Sequence, residues 1–128
     1  MGNNNMKITD YIGTLFDNVD NPNKITVAFT MANKVIDNGY SASIILMVDS
    51  VHLACPGKVD DIDIGAPFMP VKKLQEAFLE KGGKILVCQA CMVHNNVGED
   101  AIDPRFEVIS ADQVVELMMN AKGTLQLT

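Results

Sequence analysis

The sequence predicts an α/β sandwich with a mostly parallel sheet, and three observations predict it. Strand-like and helix-like patterns alternate along the chain, the order that gives parallel strands joined by right-handed crossovers. Residues 41–48 (SASIILMV) and 84–88 (KILVC) are near-continuous apolar runs, the signature of strands covered on both faces. The 128 residues, 48% hydrophobic, fit one domain, 1–128, and can fill a core without a staple.

Residues 10–16 (DYIGTLF) are rich in β-branched and aromatic side chains and read as the first strand. A turn follows, with Asp20 or Asn21 as N-cap and Pro22 at the first helical position. Ile25, Ala28, Phe29, Ala32, Val35 and Ile36 recur at helical spacing, and Gly39 closes that helix. After the second strand, residues 49–70 carry three prolines and two glycines and read as a long loop with room for one helical turn. Residues 71–81 form an amphipathic helix ended by Gly82-Gly83, and the third strand follows. Residues 91–98 read as a short helix or turn and 106–110 as a fourth strand. Ser110 caps a helix that Gly123 terminates, and 124–128 form an alternating edge strand. Residues 1–5, with their Asn run, read as a frayed end.

Composition excludes several classes. A net charge of −6 without a basic cluster argues against nucleic acid, whose phosphates require grouped Lys and Arg, and against an anionic membrane surface. The longest apolar run, residues 44–48, is far short of the ~20 residues that span a bilayer. The first residues have no apolar signal region, and Met6 stands where a myristoylation signal needs Ser or Thr. Nucleotide-loop and hydrolase motifs are missing, and the acidic runs at 60–63 and 98–107 lack calcium-loop spacing, so they read as solvated faces.

Chemistry concentrates in the stretch CQACMVH, residues 88–94. In an open α/β sheet reactive groups gather beyond the carboxyl ends of the strands. That topology turns His52, Cys55, Cys88 and Cys91 towards one rim. Cys88 stands at a strand end, and Cys91 stands where a helix begins, a setting that favours thiolate and reversible sulfur chemistry. His94, three residues after Cys91, shares its helical face and suits a proton acceptor. Zinc is the competing reading, since Cys88, Cys91, His94, His52 and Cys55 are all possible ligands. Inert packing of the cysteines is the third. Thioredoxin-type exchange fits poorly, because the chain has no Trp and no proline between the two thiols.

The residues DNPNKITVAFTMANKVIDNGYSASIILMVDSVHLA and APFMPVKKLQEAFLEKGGKILVCQACM resemble the DsrE/DsrF-like family, the sulfur-relay group that includes TusD-type subunits. The likeness spans most of the chain. It implies a three-layer α/β/α sandwich with a five-stranded, mainly parallel sheet. It also implies a cytoplasmic homo- or hetero-oligomer, often a trimer or hexamer, with no organic cofactor. The family's functional cysteine follows the strand that ends at Cys88, so the resemblance makes Cys88 the persulfide-carrying thiol. The chain departs from the family at Ser50, where Gly is common, and in CQAC and HNNV, where Gly and basic residues are usual.

The function expected is therefore intracellular sulfur handling, as a carrier or transferase subunit. Cys88 accepts sulfur and Cys91 resolves it, while Cys55, His52 and His94 tune or shield the site. A sulfur donor or acceptor protein is the expected partner. A zinc module, or a structural subunit that uses none of these residues, are the alternatives.

Overall fold

The computed structural model describes residues 7–127. The expected frayed end and the lipidation position at Met6 lie outside them. Five parallel strands form one sheet: β1 (Tyr11–Leu15), β2 (Ala42–Leu46), β3 (Lys84–Cys88), β4 (Glu107–Ile109) and β5 (Gly123–Leu127), in the order β4-β3-β2-β1-β5. The strands of residues 42–48, 84–88 and 106–109 are thus neighbours, as the buried-strand pattern requires.

Helices cover both faces. α1 (Pro22–Asp37) and α2 (Val71–Glu80) pack Phe29, Ala32, Leu74 and Phe78 on Leu15, Ile44, Leu46, Ile85 and Val87. α4 (Ala111–Met119) packs Val114 and Leu117 on Ile12, Ile45, Leu86 and Ile109. The side chains of β1, β2 and β3 alternate between these two clusters, the period-two rule of a strand buried on both sides. Each fully buried Leu, Ile or Phe contributes roughly 1.5–3 kcal/mol. The chain moves one way across the sheet from β1 to β4 and then returns to the far side of β1. Because crossovers are right-handed, that reversal places α4 on the face opposite α1 and α2.

Local signals explain most boundaries. Ser110 accepts from Gln113 N–H at 3.3 Å, and the Gln113 side chain accepts from Ser110 N–H at 2.8 Å, a reciprocal cap at the start of α4. Gly82, with φ 91°, takes the left-handed position that ends α2. Pro22 opens α1, but Asn21 makes no cap bond; its amide turns to Asp17 at 3.0 Å instead. Gly123 begins β5 rather than ending α4, which stops at Asn120. The Lys122 and Gly123 N–H groups donate to the Asp10 carbonyl at 2.7 and 3.1 Å, so pairing with β1 claims this segment first. The long loop holds a 3₁₀ segment, Val48–Ala54.

Candidate functional site

The site forms where β2 and β3 end. β3 delivers Cys88 to the rim, and α3 (Gln89–His94) starts at the next residue. The helix therefore begins earlier than the sequence pattern suggests, and Cys91 is its third residue. Cys88 is only 5% exposed, while Cys91 is half-buried. All three cysteines are free thiols.

Cys88, the N-cap of α3, and Cys91, within its first turn, are near neighbours. Burial pushes the Cys91 thiol above its ordinary range, the Val48 backbone N–H acts against that, and the Cys88 side chain raises it further. The sense of the last effect is that charge on Cys88 keeps the proton on Cys91. Cys88 is the N-cap of a six-residue helix and makes no side-chain cap bond.

His52 lies on the 3₁₀ segment and reaches α3. Its Nε2 lies 3.2 Å from Asn95 Oδ1. Asn95 also donates from Nδ2 to the Cys91 carbonyl at 2.9 Å and to the Val48 carbonyl at 3.3 Å. Asn95 thus ties together His52, the end of β2 and the thiol-bearing helix, a role that sequence reasoning missed. An asparagine at a helix end signals only a cap, and nothing local announces contacts with residues more than forty positions away.

Cys55 follows the 3₁₀ segment and lines a cavity of about 60 Å³ with Gln75, Glu76, Asp103 and Arg105; neither Cys88 nor Cys91 lines it. His94 is exposed on α3 and is not among the groups that act on Cys91. Among the described residues, no group of three or more His, Cys, Asp or Glu side chains is placed to hold a metal ion, so the zinc alternative gains no support. No helix among them is long and apolar enough to cross a membrane.

Comparison with known proteins agrees with this architecture. The crystal structure of the ychN protein from E. coli matches with a TM-score of 0.74 at 10% identity, covering 93% of this chain and 99% of that one. MTH1491 from Methanobacterium thermoautotrophicum, a protein of unknown function, matches with a TM-score of 0.67 at 8% identity, covering 91% and 96%. At such identities the likeness is one of fold. No curated protein sequence matches this chain. The sequence profile of the DsrE/DsrF-like family matches residues 12–127, from β1 to the end of β5, and the chain belongs to that family.

Proposed function

We propose that this protein carries or transfers sulfur in an intracellular relay, with Cys88 as the sulfur-accepting thiol and Cys91 as its partner. The observation that supports this reading best is the thiol pair itself: two free, neighbouring cysteines at the end of β3, in a chain of the DsrE/DsrF-like family. Free thiols also suit a reducing, cytoplasmic setting.

The chemistry needs no cofactor. The Cys88 thiolate attacks the outer sulfur of a donor persulfide, R–S–SH. The donor S–S bond breaks, R–S⁻ leaves, and Cys88–S–SH remains. An acceptor thiolate then takes the outer sulfur and returns Cys88 as thiolate. Alternatively, Cys91 thiolate attacks the inner sulfur, forms the Cys88–Cys91 disulfide and releases hydrosulfide. A small-molecule or protein thiol must then reduce the disulfide.

The test is mass spectrometry after exposure to a low-molecular-weight persulfide. One added sulfur is expected on the wild-type chain and on Cys91→Ser, with none on Cys88→Ser. The adduct should persist longer in Cys91→Ser, because no internal thiol displaces it. One observation favours the reverse order: Cys91 is the more open thiol. Sulfur retained in Cys88→Ser and lost in Cys91→Ser would assign acceptance to Cys91.

Assembly belongs to the same proposal. Val93 on α3 and Met119 on α4 are 72% and 78% exposed, and burying them between copies, as a trimer or hexamer, would remove apolar surface from water. A donor or acceptor protein would meet the thiols at the same rim.

A further inference from the structure

The third cysteine has a cavity of its own. The space measures about 60 Å³ and lies between the residues that follow the 3₁₀ segment, α2 and the loop before β4. Backbone bonds tie its walls: Asp103 N–H donates to the Ala54 carbonyl at 2.9 Å, and Lys58 N–H donates to the Cys55 carbonyl at 3.3 Å. One water needs roughly 10–15 Å³ of such space, so the cavity suits a molecule of a few heavy atoms.

The inner wall and the mouth differ in chemistry. Gln75 of α2 lines the cavity and is only 7% exposed, yet its amide makes no hydrogen bond among the described residues. The amide is not among the sealed side-chain atoms that lack a partner, so what reaches it comes through the cavity. A buried amide with neither its N–H groups nor its carbonyl engaged calls for a ligand. The charged side chains, by contrast, satisfy one another. Arg105, 48% exposed, holds Glu76 and Asp103, and Lys72 lies 3.4 Å from Asp60. Three carboxylates and two cations leave no surplus positive charge to draw an anion, so a neutral molecule fits this mouth.

We propose that Cys55 is a site of oxidation by hydrogen peroxide, and that the Gln75 amide holds the sulfenic acid that forms. Hydrogen peroxide is neutral and has two heavy atoms. The Cys55 sulfur attacks one peroxide oxygen, and the O–O bond breaks. The departing hydroxide takes the thiol proton and leaves as water. Sulfur is oxidised by two electrons, and the peroxide is reduced. Gln75 then donates from Nε2–H to the sulfenic oxygen and accepts the sulfenic O–H at Oε1. A thiol the size of glutathione is too large for the cavity, and neither Cys88 nor Cys91 lines it to form a disulfide, so the sulfenic acid persists. This oxidation is independent of sulfur carriage by Cys88.

The test uses the full-length chain carrying Cys88→Ser and Cys91→Ser. Hydrogen peroxide is added and then removed with catalase, and excess glutathione is left with the chain for increasing times. Dimedone in urea then tags the remaining sulfenic acid, which peptide mass spectrometry locates. The tag on Cys55 should survive glutathione in the folded chain and vanish when the chain is unfolded before glutathione is added. No tag on Cys55, or equal loss in the folded and unfolded chains, overturns the proposal. Adding Gln75→Leu should shorten the lifetime of the sulfenic acid about fivefold, the worth of one neutral hydrogen bond. An unchanged lifetime overturns the proposal as well. If Gln75→Leu does not fold, Arg105→Gln opens the mouth instead, and glutathione should then convert Cys55 to the mixed disulfide. A lifetime that Arg105→Gln leaves unchanged overturns the proposal. Sulfur acceptance is read separately on Cys88, so either result can fail without the other.

Discussion

Asn33 of α1 reaches across to Leu74 of α2: its Nδ2 donates to the Leu74 carbonyl at 3.0 Å and to the Phe29 carbonyl of its own helix at 2.8 Å. The residue is buried, and its Oδ1 has no partner. One amide thus joins the two helices that cover the same face of the sheet. Asn33→Ala removes both bonds and leaves a buried carbonyl short of a donor, so it should cost about 1–3 kcal/mol in urea unfolding. Asn33→Asp should cost more at neutral pH, because it sets a carboxylate against two carbonyl oxygens.

The turn into β3 depends on a missing side chain. A Cβ on Gly83 would fall on the Phe78 ring, and Phe78 is itself fully buried in the main core. Gly83→Ala should therefore force the ring from its site and lower stability by roughly 1–3 kcal/mol, read as a fall in Tm. Gly82→Ala meets open space but strains a positive φ, so its loss should be about 1 kcal/mol.

Arg105 pairs with Glu76 on α2 at 2.8 and 2.9 Å and with Asp103 at 2.8 Å. These bonds hold both carboxyls below their ordinary values of 4.5 and 3.8. Because the unfolded chain binds protons more readily at these groups, the stabilisation is complete above those values and is lost as the pH falls through the depressed folded ones. The groups are largely solvated, so the whole network should be worth under about 1 kcal/mol and weaken with salt. Arg105→Gln should lower neutral-pH stability by about that small amount, leave stability below the depressed values unchanged, and so flatten the acid limb of the stability curve.

Self-association is read by light scattering. At micromolar concentration the mass should be a multiple of 13.9 kDa. Val93→Asp or Met119→Asp should shift it towards the single chain by placing charge on exposed apolar positions. A single-chain mass for the wild-type protein would remove the oligomer from the proposal.

The order of strands and helices was legible because each element carries its own periodicity, and Ser110, Pro22 and Gly82 mark their helix ends by local chemistry. The thiol pair was legible because three-residue spacing at a strand end leaves the two sulfurs few places to go. Asn95 was not, because its role comes from contacts between the 3₁₀ segment after β2 and the helix after β3. Cys55 was grouped with the thiols because strand-end topology fixes a rim but not a position along it. The loop after the 3₁₀ segment carries Cys55 towards α2 and Arg105 instead.

The sheet order also has a kinetic side. β1, β2 and β3 each pair with the next strand in the chain, whereas β5 pairs with β1, matching Gly123 to Tyr11. Closing that pairing on its own costs about 1 kcal/mol more loop entropy than pairing Tyr11 with Ala42. Loop closure therefore favours pairing β1 with β2 ahead of pairing β1 with β5. β5 is, like β4, an edge strand, and its Gly123, Thr124 and Gln126 are exposed. Amide protons of β5 should exchange ahead of those in β2 and β3. The lips of the thiol site stand at the ends of those two inner strands, each paired on both sides, away from either edge of the sheet.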